Sequence, residues 1–532
     1  MTNSQSPQAG ATGQRNWFTR FLDAVEWLGN LLPHPVTLFA LLAIAMVLLS
    51  GLFGWLELAV PDPRPEGMSG RADDGMIRAI SLLNPEGLRR VVTSLVSNFT
   101  GFAPLGVVLV AMLGVGVAEK SGMLSALVRG IVLKAPRHVV TVAIVFAGVL
   151  SNTASEMGYV VLVPLAAAVF YSLGRHPLAG MAAAFAGVSG GYSANLLIGT
   201  IDPLLAGITE EAAQLIDPAY TVDATASYYF MAISTFMITI IGSLVTIFIV
   251  EPKLGNYDDS HADPDILDGR SMQSLTADEK KGLLAAGLAA LAVFGLMALT
   301  LVPEWGPLRN PDTGEMIRSP FFRGIVAWIF VFFLATGFAY GKTVGTMKND
   351  RDVIDGMSSA IATLGLYVVL VFFAAQFVAF FGWTNLGAIT AVTGANFLHA
   401  INLTGPMVFV FFILVCGMIN LSLGSASAQW AVTAPIFVPM LMLIGYSPEV
   451  IQTAYRIGDS STNIITPMMS YFGLILAWAT RYNKNFGIGT MISTMLPYSM
   501  FFILGWTLLF LFWTFGLEMP VGPGSPTYYE VG

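Results

Sequence analysis

The residues of this chain best placed to do chemistry are Arg456 and Asp459, three positions apart inside apolar sequence. Every other Lys and Arg can be assigned to a loop, a tail or a helix end. Residues three apart project from one helix face, so the two can pair or can meet a charged solute together. An arginine held in hydrocarbon presents a planar fork matched to a carboxylate. Asp459 can orient that fork or carry a coupling proton or cation. The plainer alternative is an ion pair that only locks its helix. Asp202, in an Asp-Pro, and Glu156, in a polar run, are the remaining intramembrane acids. Each suits a proton carrier or a helix-end residue reaching water.

Around these charges lie four polar stretches in two ordered pairs: SNTASEMG (151–158) with GGYSANLLIGT (190–200), and NLSLGSASAQW (420–430) with GDSSTNIITP (458–467). They supply Asn152, Asn195, Asn420 and Asn463, with Ser151, Thr153, Ser193, Ser425, Ser427, Ser460 and Thr462 beside them. Amide, hydroxyl and unwound carbonyl oxygens suit a desolvated cation, sodium at Asn152, Asn195 and Asn463, while half-helix N-termini suit a carboxylate. Small residues that only let helices pack closely explain any single Ser equally well. They explain four breaks in repeat register less well. Trp430 ends the third stretch. A lone Trp is commonly a lipid or packing contact, but beside Arg456 it can stack on an aromatic solute. Pro164, Pro435, Pro439 and Pro467 read as helix-shaping.

The elements that must hold these residues are membrane helices. Of 532 residues 55% are hydrophobic and 11% charged, with mean hydropathy +0.71. That is an all-α polytopic membrane protein lying in a lipid bilayer, not a soluble domain. A net charge of −8 without a basic stripe argues against nucleic acid. The one cysteine, Cys416, lies in an apolar segment, so no intrachain disulfide forms and no Cys metal site is expected. Residues 1–33 read as a cytoplasmic tail before an uncleaved helix. Nine crossings are expected, at 34–56, 99–118, 177–208, 224–250, 282–302, 321–341, 361–381, 448–480 and 486–515. Those at 177–208 and 448–480 are broken by the polar stretches. Two further apolar pairs, 138–173 and 405–445, have arms of 13 to 16 residues. At about 1.5 Å per residue such arms fall short of the roughly 30 Å hydrocarbon core, so re-entrant hairpins are expected.

Bases concentrate in the loops 119–137, 251–281, 342–351 and 481–485, whereas 209–223 and 382–404 contain no Lys or Arg. That assigns the first set to the cytoplasm. The outer loop 57–90 mixes five Arg with six acids and is partly amphipathic, so it carries no weight. A first half (34–250) and a second half (282–515) then flank a cytoplasmic linker (251–281), with a C-terminal tail at 516–532. Each half holds a crossing, an amphipathic stretch, a hairpin, a broken helix and a last crossing, in opposite orientations. The segments 282–302 and 321–341 are left as scaffold. Inverted repeats of this kind permit alternating access, so the chain reads as a transporter.

At these residues the sequence resembles the AbgT family, the p-aminobenzoyl-glutamate transporters. The blocks SNTASEMGYVVLVPLAA, GYSANLLIGTIDPLLAGIT, GSASAQWAVTAPIFVP and AYRIGDSSTNIITPMMSYFGLI carry the resemblance, which extends over nearly the whole chain. It implies nine membrane helices plus two hairpins in a homodimer, in a bacterial inner membrane. It also implies functional positions at Asp202, Asn420, Trp430, Pro448, Arg456, Asp459 and Pro467. The cargo it implies is p-aminobenzoyl-glutamate, p-aminobenzoate or a sulfonamide, driven by a proton or sodium gradient, with no other cofactor. The arrangement is also similar to the divalent-anion/sodium symporters, whose Ser-Asn-Thr tips bind sodium and carboxylate. The first tip keeps that triplet (Ser151, Asn152, Thr153), and the second departs from it as Ser425-Ala426-Ser427. A sodium-coupled dicarboxylate transporter is therefore the alternative.

Other classes fit less well. GVSG at 187–190 matches an intramembrane serine protease motif, but His34, His138, His176, His261 and His399 all fall at ends or loops. An aspartyl protease needs G-x-G-D, where Arg456 takes the first Gly position. A channel would not need two inverted hairpins.

Overall fold

A computed structural model describes residues 33–64, 71–154, 158–258, 274–317 and 319–530. Among them, seven helical runs are long and apolar enough to cross a membrane: Pro35–Trp55, Pro85–Lys120, Tyr228–Leu254, Ala277–Leu301, Ile325–Val344, Gly365–Trp383 and Ile488–Gly516. The start of Ala277–Leu301 is fixed by a capping box, in which Thr276 and Glu279 satisfy each other's backbone N–H groups. Glu279 also pairs with Arg129 on the amphipathic helix Met123–Leu133. Ala277–Leu301 packs along Ile325–Val344, which in turn packs along Ala103–Lys120. Glycines permit that approach: a Cβ on Gly114 would lie 2.5 Å from the Phe330 carbonyl oxygen.

The two hairpins and two broken helices fill the space between. The first hairpin runs Val140–Ser151, then a 3-10 turn Asn152–Ala154, and returns through a wide turn Gly158–Leu162 into Val163–Ser172. The second runs Val408–Asn420 and returns as Ala426–Met442. The first broken helix is Pro177–Phe185, extended by Ala186–Gly190 and resumed at Ile201–Ala213. The second is Pro448–Asn463, resumed at Phe472–Tyr482. All 16 residues of Pro448–Asn463 are buried despite its polar composition. A buried polar helix of this kind is a place where function is built.

The structure sharpens three expectations. Within the stretch 458–467 the helix continues through Asn463 before it breaks, because the Ser461 and Thr462 hydroxyls bond back to the carbonyls of Ile457 and Gly458 and so satisfy themselves within it. The loop 57–90 contains two short antiparallel strands, Ala59–Pro61 and Met76–Arg78, so the fold is not purely helical. The loop also contains the start of an amphipathic helix, Pro85–Thr100, capped by Asn84 and separated at Gly101 from Ala103–Lys120. Glu156 and the middle of the linker, 259–273, lie outside the described residues.

Candidate functional site

Each hairpin tip clamps its broken helix through one asparagine. Asn152 Nδ2 donates to the Gly191 carbonyl at 3.3 Å, and Asn420 Nδ2 donates to the Asp459 carbonyl at 2.8 Å; both partners lie 39 residues further on. Thr153 Oγ1 donates to Asn195 Oδ1 at 2.9 Å, and Asn420 Nδ2 also reaches Thr462 Oγ1 and Asn463 Oδ1 at 2.9 Å. The same clamp thus occurs once per half. In both copies the asparagine carbonyl, Asn152 Oδ1 or Asn420 Oδ1, is buried without a hydrogen-bond partner. Asn195 Oδ1 and Asn463 Oδ1 are already engaged as acceptors. Of the three sodium candidates, Asn152 is the one with an uncommitted side-chain oxygen. Ser151 turns its hydroxyl back to the Gly148 carbonyl at 2.6 Å.

Arg456 pairs with Asp202, not with Asp459. The expected pairing on one helix face is displaced because the two broken helices pack together. The long guanidinium arm then reaches the first turn of Ile201–Ala213, while the short Asp459 side chain stays by its own helix. Asp202 Oδ2 accepts from the Gly199 N–H at 2.7 Å, and Oδ1 takes Arg456 Nη2. Both side chains are 4% exposed. At a helix N-terminus the carboxylate also gains from the exposed N–H groups. Arg456 Nε and Asp459 Oδ1 are buried with no partner, and Asp459 Oδ2 has only a 3.5 Å contact from Asn463 Nδ2. Ser193 Oγ and Ser460 Oγ are likewise unpartnered. Such a concentration of unmet polar atoms calls for an explanation.

Trp430 is fully buried: its ring stacks on Tyr455 at 4.2 Å, and its indole N–H donates to Thr209 Oγ1 at 2.9 Å. In this conformation that indole face is occupied by protein. Ser427 is half-buried on the first turn of Ala426–Met442. Pro448 opens its helix beneath the Ser447 cap, and Pro467 is half-buried in the second break. Ser427 and Pro448 stand at helix starts and Pro467 in the break, apart from the side-chain clamps just described.

Residues outside the sequence candidates complete the site. Gln452 Oε1 lies 2.7 Å from Thr209 Oγ1, and the Tyr455 hydroxyl donates to the Ala426 carbonyl at 2.6 Å. Their register with Arg456 and Asp459 on one helix was the available signal. Tyr159 stacks on Tyr471, with ring centroids 4.7 Å apart. Nothing in the spacing of those two links them. Ser189 of the GVSG motif donates to Met469 Sδ at 3.6 Å. An apolar cavity of about 270 Å³, lined by Leu124, Leu197, Phe332 and Phe333, meets the first tip only at Ser151 and Thr153. The charged cluster itself is closed.

The chain is similar along most of its length to known transporters. The chain is 35% identical over 500 residues to the p-aminobenzoyl-glutamate transport protein of Escherichia coli (strain K12), covering 94% of this chain and 95% of that protein. It is 58% identical to Neisseria gonorrhoeae MtrF, assigned to a class of antimetabolite efflux pumps, with a TM-score of 0.89 over 95% of this chain and 100% of that one. It is 44% identical to the Alcanivorax borkumensis YdaH transporter, with a TM-score of 0.85 over 92% of this chain and 100% of that one. The sequence pattern of the AbgT putative transporter family matches residues 20–529. With two tip-clamped broken helices meeting at a buried ion pair, and with these relatives, the chain belongs to the AbgT transporter family, multi-pass proteins of the bacterial inner membrane.

Proposed function

We propose that this protein is a secondary active transporter of p-aminobenzoyl-glutamate or a related aromatic carboxylate such as p-aminobenzoate, with sulfonamide antimetabolites as further cargo. The observation that carries this reading is the Arg456 fork, buried between the two broken helices with its Nε edge unpartnered. A substrate carboxylate takes that edge and competes with Asp202 for the guanidinium. Transport follows from the exchange: with substrate bound, the link between the two broken helices loosens, and without it the link re-forms. Asp459, Asn420 and Asn152 supply the unmet oxygens for a coupling proton or sodium ion, which travels as cargo. Asn195, Asn463, Ser151 and Thr153 position those oxygens. Trp430, Ser427, Pro448 and Pro467 shape the second tip and break around the substrate.

In the bilayer, nine crossings and two re-entrant hairpins give the two halves, 34–250 and 282–515, opposite orientations, and two copies associate as a homodimer. The two broken helices count as the eighth and ninth crossings beside the seven long runs. A sodium-coupled dicarboxylate carrier is the second reading, favoured by the unpartnered Asn152 Oδ1 in the Ser-Asn-Thr tip.

The test is counterflow of labelled p-aminobenzoyl-glutamate in proteoliposomes. Arg456→Lys keeps the charge and loses the fork; it and Asp459→Ala are expected to abolish counterflow in protein that still purifies as a dimer. Full transport by both would sink the site assignment. Imposing sodium and proton gradients separately identifies the coupling ion.

A further inference from the structure

Inside the closed cluster a small polar gap lies where four elements meet. They are the first break (190–200), the start of Tyr228–Val245, the second broken helix Pro448–Asn463 and the last crossing, Ile488–Leu511. Most side-chain polar groups around it are already engaged. The Ser227 and Thr453 hydroxyls bond each other at 2.8 Å, and the Trp506 indole N–H donates to Ser234 Oγ at 2.7 Å. Two groups remain. Ser193 Oγ and Arg456 Nε have no hydrogen-bond partner, not even each other, although both residues border the gap and are only 4% and 3% exposed. A buried polar atom left unmatched has lost its hydration without compensation.

The inverted repeat identifies the free hydroxyl as a departure made in the first copy. Asn152 and Asn420 clamp the carbonyls of Gly191 and Asp459, which sets those two positions in register. Two residues on, Ser193 then corresponds to Ser461, and two more pair Asn195 with Asn463. Ser461 bonds back to the Ile457 carbonyl within its helix. Ser193 has no such turn behind it, since its helical run ends at Gly190. The break therefore frees a hydroxyl that its counterpart spends on its own backbone. Asp459 stands in the converse relation, because its counterpart, Gly191, has no side chain. The first copy thus brings a free hydroxyl to the site, and the second brings a free carboxylate oxygen.

The chemistry of the gap selects the ligand. A guanidinium N–H can only donate and is always charged, so a cation does not settle against it. With a hydroxyl beside it, the gap holds two donors and wants one acceptor. A carboxylate oxygen has two lone pairs and can take both. We infer that Ser193 is a substrate-binding residue: its hydroxyl and Arg456 Nε together hold one carboxylate oxygen of the transported anion. The inference rests on the aromatic-carboxylate reading above. It moves Ser193 from the cation oxygens, where its place near Asn195 groups it in the sequence, to the anion site.

Ser193→Ala separates this role from a structural one. Removing a buried hydroxyl that has no partner should leave the ligand-free protein as stable as before, or slightly more so. The same variant is expected to raise KM for p-aminobenzoyl-glutamate counterflow about tenfold, the loss of one hydrogen bond to a charged group. The concentration of p-aminobenzoyl-glutamate needed to raise the melting temperature should shift by the same factor. Ser461→Ala, which removes the counterpart hydroxyl, should leave KM near the wild-type value. An unaltered KM in Ser193→Ala overturns the inference and leaves the gap to water. A marked fall in its melting temperature without ligand overturns it too, since the hydroxyl would then have a structural partner. Wild-type protein that moves no p-aminobenzoyl-glutamate sinks the substrate reading instead.

Discussion

Two buried charges from different halves of the chain dominate the energetics at the scale of single residues. Removing one partner of a buried ion pair leaves the other unpaired, a loss of about 3–5 kcal/mol. A neutral hydrogen bond such as Trp430 to Thr209 contributes only about 1 kcal/mol. Asp202→Ala and Arg456→Ala should therefore each lower the melting temperature in detergent far more than Thr209→Val. The double variant Asp202→Ala/Arg456→Ala should lose less than the sum of the two, because neither charge is then left alone. Strictly additive losses would mean that the pair is not coupled. The pairing itself was not legible in the sequence. Arg456 and Asp459 share a helix face, and that periodicity is visible; Asp202 lies 254 residues away, and only the crossing of the broken helices brings it in. The clamps were half legible. The four asparagines stood out in polar runs, but which oxygen each keeps uncommitted depends on backbone carbonyls that no spacing reveals.

At the scale of elements, glycine seams join each hairpin to its broken helix. A Cβ on Gly187 would lie 2.4 Å from the Val145 carbonyl oxygen, and one on Gly458 would lie 2.5 Å from that of Ile413. Both neighbours are backbone and cannot turn aside, so the helices must separate. Overpacking of this kind typically costs about 1–3 kcal/mol. Gly187→Ala and Gly458→Ala are expected to destabilise the protein and slow counterflow. Gly473→Ala, where a Cβ meets nothing within 4 Å, should be neutral or slightly stabilising by helix propensity. Equal melting temperatures for all three would remove the seam. Hydropathy locates the long apolar helices well, because a run of about 20 apolar residues has few other uses. It locates Pro85–Thr100 poorly, since four of its sixteen positions are charged or amide groups that dilute the stripe. It also starts the second break a few residues early. Serine and threonine look like breakers in a sequence, yet in an apolar interior they close their own helical turn, as Ser461 and Thr462 do.

At the scale of the whole molecule, the C-terminal segment is part of the machine rather than a free tail. The Val521 carbonyl accepts from the Phe230 N–H at the start of Tyr228–Val245, and Ser525 Oγ donates to the Ala226 carbonyl at 2.9 Å. Further along, the Ser447 N–H donates to the Thr527 carbonyl, the Tyr529 N–H donates to the Gly445 carbonyl, and Tyr446 bridges Tyr528. The segment thus runs from the first half to the cap of Pro448–Asn463, at the end that the loop charges assign to the outside. The Tyr529 hydroxyl reaches Asp217 at 3.4 Å; burial and that carboxylate push its pKa up to about 12. Because the raised pKa favours the protonated phenol, this contact contributes fully below about pH 10, the ordinary tyrosine value, and is lost only as pH rises from there through 12. The strap should therefore hold evenly across the physiological range. Thr225 is 2% exposed beneath it, where a Cβ on Gly522 would lie 2.4 Å from the Thr225 carbonyl oxygen. Cys416, the single native cysteine, is fully buried and gives little background. In a Thr225→Cys protein, a membrane-impermeant maleimide should label slowly in the full chain, at a rate that follows only thiol ionisation between pH 6 and 9. It should label much faster in a chain ending at Met519. Equal labelling of the two chains would show that the strap covers nothing, and labelling only from the cytoplasmic side would reverse the orientation drawn from the loop charges.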